Sequence, residues 1–151
     1  MEKLVTANLN LGVLGGGQLG KMLALAGSVW NVKTAILDEH DDMPAAPICH
    51  RFVEGDFRNK EDVLNFGRSV DVLTIEIEQV NIEALEELEN EGRKVFPMAS
   101  VLKVIQDKLV QNEFIKKHGF PKPRFSGYAN ADAVLAAVER SEEHTSELQS
   151  Q

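Results

Sequence analysis

The sequence predicts an α/β fold, a parallel sheet flanked by helices, on three observations. Short apolar runs alternate with helix-patterned stretches along most of the 151 residues. Asn59 and Asn81 stand where two of those helices would start, and asparagine caps a helix start well. The first strand-to-helix passage is Gly15-Gly16-Gly17-Gln18-Leu19-Gly20, a G-x-G-x-x-G turn. Strands that alternate with helices pair in parallel through right-handed crossovers, and ligands bind beyond the strands' carboxyl ends.

Each element has its own signal. Leu11, Val13 and Leu14 form a short apolar run suited to a central strand. After the glycines, Leu19, Met22, Leu23 and Ala26 fall at i, i+3, i+4 and i+7, one face of a helix. Thr34–Leu37 reads as the second strand and Arg51–Glu54 as a short third one. Asn59 caps a helix with Glu61 and Asp62 in its first turn, followed by Val63, Leu64 and Phe66. Val70–Ile75 is the next strand. Asn81 then opens a helix whose apolar residues are Ile82, Leu85 and Leu88, ended by Gly92. Lys94–Phe96 is a further strand, stopped by Pro97, and Ser100 opens a helical stretch with Val101, Leu102, Val104 and Ile105. Asp107 caps another helix through Phe114 and Ile115 up to Gly119, and Pro121 and Pro123 mark a linker.

The glycine turn admits three readings. It is a tight turn with glycines for packing, a dinucleotide site, or an anion site on a helix start. Glycines let a ligand approach the main chain, and a helix start offers unpaired N–H groups and the positive end of a dipole. A phosphate or carboxylate near Gly17 and Gln18 fits that chemistry. A nicotinamide or flavin nucleotide would use Gly15, Gly17 and Gly20 with Asp38, an acidic residue closing the second strand at about the spacing of dinucleotide folds. The acidic, proline-bearing loop from Glu39 to Pro47 counts against that reading.

Composition narrows the function. A net charge of −8 and no basic stripe argue against a nucleic-acid or membrane-surface role. No run approaches transmembrane length, and Met1-Glu2-Lys3-Leu4 opens no signal peptide. A single cysteine, Cys49, permits no internal disulfide and fits the cytoplasm. Cys49-His50 has no second pair at metal-ligand spacing, so no zinc site is expected. His118 beside Gly119 is explained by a helix end, and Glu83–Glu91 reads as a solvated helix face.

The final residues differ in character. Arg140–Ser150 matches, residue for residue, the translation of a common sequencing-adapter string, so His144 and Glu147 are expected to carry no function. The expected organisation is a Rossmann-like domain over 1–119, a linker and the start of a second domain over 120–139, and an adapter-derived tail over 140–151.

Beyond single motifs, the chain resembles the N-terminal portion of the 5-(carboxyamino)imidazole ribonucleotide synthetases, ATP-grasp enzymes of purine biosynthesis. The resemblance rests on Gly15–Leu23, Pro44-Ala45-Ala46, Asp71–Val80, Ile105-Gln106-Asp107-Lys108, and Phe114-Ile115 before Gly119-Phe120-Pro121. It implies a pre-ATP-grasp parallel sheet whose glycine turn helps hold a ribonucleotide. It also implies a reaction in which ATP, with Mg²⁺, activates bicarbonate as carboxyphosphate and the carboxyl group passes to the amine of aminoimidazole ribonucleotide. A homodimer is implied too.

The candidate site residues on this reading are Gly16, Gly17, Gln18 and Leu19 at the helix start, with Glu76 and Glu78 on the strand that follows Asp71. Two residues apart on a strand, Glu76 and Glu78 would face one side and could accept hydrogen bonds from an amine or ribose hydroxyls. Lys108 stands where family members often carry Arg against the nucleotide, keeping the charge without the bidentate fork. The family's later ATP-loop lysine and Mg²⁺-binding acids have no counterpart in the sequence. The expectation is therefore a truncated ligase, inactive alone. A nicotinamide-dependent oxidoreductase domain and a stand-alone nucleotide-binding module are the alternatives.

Overall fold

The computed structural model describes residues 9–121, 125–128 and 130–138. Residues 140–151, the expected adapter tail, lie outside the described residues. The chain divides into two compact units, Met1–Gln111 and Asn112–Gln151.

The first unit carries β1 (Asn10–Leu14), α1 (Gln18–Val29), β2 (Lys33–Asp38), β3 (Arg51–Glu54), α2 (Lys60–Arg68), β4 (Val72–Ile75), α3 (Ile82–Asn90), β5 (Lys94–Phe96), α4 (Ala99–Gln106) and the start of α5 (Lys108–Lys117). The strands form one parallel sheet in the order β3-β2-β1-β4-β5. The chain winds outward from β1 to β3, then returns to β1's other side for β4 and β5. The order therefore reverses between β1 and β4, where an open α/β sheet leaves its ligand crevice.

Side-chain alternation along the strands splits the core in two. Leu14, Leu37 and Leu73 point to one face, where they meet Val63, Leu64, Phe66, Leu85, Leu88 and Leu102 from α2, α3 and α4. Val13 and Ile36 point to the other face and meet only Ala24 and Ala45 as fully buried partners. The α1 layer is thin, and it corrects one expectation from sequence. Leu19, Met22, Leu23 and Ala26 share a helix face, but that face is exposed. Gly20 and Ala24 are the buried residues of α1. Small residues bring the helix backbone close to the sheet, and a Cβ on Gly20 would collide with the Gly15 carbonyl oxygen.

The remaining boundaries follow local chemistry. Asn59 Oδ1 accepts from the N–H groups of Glu61 at 2.9 Å and Asp62 at 3.3 Å. Asn81 Oδ1 accepts from Ala84 N–H at 2.9 Å, while its Nδ2 donates to the Arg58 carbonyl at 3.0 Å. Gly92 lies at φ 79° past α3. The start of α4 departs from the local pattern: its N-cap position is Met98, which supplies no side-chain cap. Glu89 of α3 reaches across to accept the Ala99 N–H at 2.9 Å. The acidic run on α3 pairs with cations of neighbouring helices, Lys60 and Arg68 with Glu87, and Lys103 with Glu86.

Because Asn81 caps α3 and ties it to the preceding loop, Asn81→Ala should cost about 1 kcal/mol of stability. Urea unfolding reads this as a lower midpoint at unchanged slope; an unchanged midpoint would remove the cap from the account.

The second unit carries the rest of α5 and a helix over residues 131–138. The rings of Phe114 and His118 lie 4.3 Å apart at the end of α5, and Gly119 follows at φ 71°.

Candidate functional site

Three strand ends build the site. β1 ends into Gly15, whose N–H donates to the Leu37 carbonyl at 3.1 Å, and β4 ends into Glu76, whose N–H donates to the Leu14 carbonyl at 2.9 Å. The two strand ends are thereby joined at the point where the sheet order reverses. Gly15 lies at φ 111°, in the left-handed region that favours glycine, and a Cβ there would run into the Glu76 carboxylate. Glu76 thus packs directly over the first glycine of the turn.

The second glycine is used internally. Gly16 N–H donates to Asp38 Oδ2 at 2.5 Å, and the Gly16 carbonyl accepts from Ala45 N–H at 3.0 Å. Asp38 is 4% exposed, and its Oδ1 accepts the Glu39 N–H at 2.7 Å. These contacts bear on two of the sequence readings. Gly16 offers no N–H to a ligand, because Asp38 has taken it. Asp38 offers no free carboxylate to a ribose, because backbone amides occupy both oxygens in a buried place. The dinucleotide reading loses its acidic residue on that geometry.

The third glycine stands open. Gly17 is the N-cap of α1, no side chain caps that helix, and a Cβ on Gly17 would meet nothing within 4 Å. Packing gives no reason for glycine here. The first-turn N–H groups beyond Gly17, including those of Gln18 and Leu19, have no intrahelical partner by the geometry of a helix start. The Leu19 side chain itself points outward.

Glu76 and Glu78 are placed differently from the sequence expectation. β4 stops at Ile75, and both acids lie in the bend beyond it. The ladder ends because the Glu76 and Ile77 N–H groups share the Leu14 carbonyl, at 2.9 and 3.4 Å. Strand alternation therefore does not fix their relative directions. Glu76 is half-buried and Glu78 exposed. Burial raises the Glu76 carboxyl above its ordinary range, and the charges of Asp38 and Glu78 push it the same way.

That direction makes a prediction. The folded chain holds the Glu76 proton to higher pH than the unfolded chain, so stability falls as pH climbs from about 4.3 through the raised value. Glu76→Gln removes this loss. The variant should melt above the parent at neutral pH, with the gain gone below about pH 4. A melting difference that does not change with pH would refute the assignment.

Gln106 is the contributor that site reasoning from sequence left out. Its Nε2 donates to the carbonyls of Glu78 at 2.7 Å and Val80 at 2.9 Å, so the end of α4 clamps the acid-bearing bend. The only sequence signal was its place in the Ile105–Lys108 stretch. Lys108 follows two residues later on the exposed start of α5, where its Nζ donates to Gln111 Oε1 at 3.2 Å. Asp107 Oδ1 caps that helix, accepting from Leu109 at 2.8 Å and Val110 at 3.1 Å.

A cavity of about 760 Å³ adjoins the start of α1, walled by Gln18 and Lys21 on one side and by Asp41, Asp42 and Met43 on the other. Glu76 does not line it, so it is a separate hollow that shares Gln18. Among the described residues no three His, Cys, Asp or Glu side chains converge as a metal site. The arrangement therefore suits a ligand with an anionic end for the α1 amides and an amine or hydroxyl end for Glu76.

Residues 9–106 match the family model for the ribonucleotide synthetase preATP-grasp domain. The chain is 38% identical over 115 residues to the chloroplastic phosphoribosylaminoimidazole carboxylase of Vigna aconitifolia, covering 76% of this chain and 21% of that protein. It is 34% identical over 133 residues to the N5-carboxyaminoimidazole ribonucleotide synthase of Pseudomonas aeruginosa, covering 86% of this chain and 36% of that protein. The solved structure of the Aspergillus clavatus N5-carboxyaminoimidazole synthase, in complex with ADP and 5-aminoimidazole ribonucleotide, superposes at a TM-score of 0.72 with 38% identity, over 79% of this chain and 32% of that one. The chain spans about a fifth of the length of the Vigna relative and about a third of the other two.

Proposed function

The chain belongs to the ribonucleotide synthetase preATP-grasp domain family, and from that membership we propose that it is the ribonucleotide-holding first domain of a larger ATP-dependent ligase. That ligase carboxylates aminoimidazole ribonucleotide with bicarbonate in purine biosynthesis, in the cytoplasm. The observation that carries the reading is the uncapped start of α1 beside the half-buried Glu76, both at the reversal point of the sheet. The phosphate belongs on the amides from Gly17 to Leu19, and Glu76, with Glu78 near it, accepts from the amine or ribose hydroxyls. The Aspergillus relative, solved with ADP and 5-aminoimidazole ribonucleotide, supports that substrate class.

The described residues fit the ribonucleotide better than they fit ATP with Mg²⁺. They bring no acidic metal cage together, and Lys108 is the one ATP-facing candidate. No step of the ATP chemistry is assigned to this chain. Its residues bind and orient the ribonucleotide: the α1 amides fix the phosphate, Glu76 holds the amine end, and Gln106 fixes the bend that carries Glu76 and Glu78. Residues 1–119 make up this domain, 120–139 begin the next, and 140–151 are adapter-derived.

Two measurements test the proposal. Calorimetric titration of the chain with aminoimidazole ribonucleotide should show binding, while NADH shows none; the reverse result overturns the substrate class. Re-reading the source DNA across the Glu139 codon should show the frame continuing into a lysine, a glycine-rich loop and later acidic metal ligands. A stop codon there would defeat the larger-ligase reading. The chain alone should form no product from ATP, bicarbonate and aminoimidazole ribonucleotide.

A further inference from the structure

Asp38 is the one charged side chain that the described residues bury. Taking a carboxylate out of water is costly unless it is hydrogen-bonded. Here both oxygens are used: Oδ2 accepts Gly16 N–H at 2.5 Å and Oδ1 accepts Glu39 N–H at 2.7 Å. Asparagine has the same shape but a single acceptor oxygen, so it could serve only one of those amides. The residue itself is held firmly. Its carbonyl accepts Gly55 N–H at 3.0 Å, and it pairs with Glu54 in the β2–β3 ladder.

The glycine turn is thereby tethered to β2 at two successive residues, Gly15 to the Leu37 carbonyl and Gly16 to the Asp38 side chain. Ala45 N–H holds the Gly16 carbonyl from the other side. Beyond Gly16 the bonding becomes helical: the Gly17 carbonyl accepts Lys21 N–H at 3.0 Å. The last tether of the turn therefore stands directly before the amides of Gly17, Gln18 and Leu19. The same carboxylate lies close to the acid of the site. A Cβ on Gly15 would meet Glu76 and one on Gly16 would meet Asp38, so the two acids pack against adjacent glycines.

We propose, on the ribonucleotide reading of the site, that Asp38 is a positioning residue for both ends of the ligand: it fixes the turn that aims the Gly17–Leu19 amides, and its charge acts on Glu76 across Gly15 and Gly16. Burial holds the Glu76 proton to higher pH, and the charges of Asp38 at the end of β2 and of Glu78 in the same bend push the same way. Those two acids are the charged groups that act on Glu76. Removing the Asp38 charge therefore lets Glu76 ionise at lower pH. The ionised carboxylate is the form that only accepts, which suits an amine or a hydroxyl.

Calorimetric titration with aminoimidazole ribonucleotide across a pH series, on the parent chain and on Asp38→Asn, tests it. The variant should bind about tenfold or more weakly at neutral pH. Its acid-side loss of affinity, where Glu76 takes up a proton, should begin at lower pH than in the parent. The ligand's own protonations are common to both proteins and cancel in the comparison. Binding equal to the parent's at every pH would overturn the proposal. So would weaker binding with an unmoved pH profile, which would make Asp38 a structural part of the turn and nothing more. No binding by the parent would instead defeat the ribonucleotide reading, and this proposal with it. Amide NMR on the parent needs no variant and decides the matter if Asp38→Asn does not fold. Gly16 N–H should exchange slowly and shift less on adding aminoimidazole ribonucleotide than the amides of Gly17, Gln18 and Leu19. A Gly16 amide that exchanges freely, or shifts as far as those three, would refute the positioning role.

Discussion

Gly20→Val is expected to cost about 3 kcal/mol of stability, a large share of what a domain of this size holds in reserve. The reason is backbone against backbone. A Cβ at Gly20 would meet the Gly15 carbonyl oxygen, which is held in place by its place in the turn. A flexible side chain could swing aside, but a carbonyl at a strand end cannot. Either α1 lifts off the sheet, exposing Val13, Ile36 and Ala45, or the glycine turn distorts. The helix propensity gained by replacing glycine, under 1 kcal/mol, does not offset that. Urea unfolding should show a much lower midpoint. A variant as stable as the parent would mean that α1 does not rest on the Gly15 turn.

Gly17→Val should do the opposite: leave the fold alone and remove ligand. No atom lies within 4 Å of the Cβ position, and the backbone there, at φ −68°, suits any residue. The branched side chain instead stands over the uncapped amides at the start of α1. Affinity for aminoimidazole ribonucleotide should fall at least about tenfold, some 1.4 kcal/mol, in this chain and in the longer protein. Stability should fall by no more than about 1 kcal/mol, the cost of losing glycine at an N-cap. Unimpaired binding would place the phosphate elsewhere. Taken together, the two glycines separate a structural role from a binding role within one motif, at positions three residues apart.

The order of elements was legible in the sequence because it rests on local chemistry. Asparagine at 59 and 81, glycine at 92 and 119 and the apolar runs of the strands mark boundaries by capping, positive φ and burial, all short-range effects. The glycine turn was legible as a strand-to-helix passage for the same reason. Its internal division of labour was not. Gly15, Gly16 and Gly20 answer to Glu76, Asp38 and the Gly15 carbonyl; Asp38 ends another strand and Glu76 lies just beyond a third.

The sequence by itself determined the alternating strands and helices, the asparagine caps of α2 and α3, and the set of residues that gather at the carboxyl edge. Those depend on propensity and period, which a chain carries wherever it goes. The tertiary structure alone decided which face of α1 is buried, since small residues that permit close approach outweigh an apolar stripe when the sheet face is thin. It decided that Asp38 serves the turn rather than a ligand, that β4 ends one residue before Glu76, that Glu89 caps α4, and that Gln106 clamps the acidic bend. Each of these is a contact between residues distant in sequence, and such contacts exist only once the sheet has brought its strands into register.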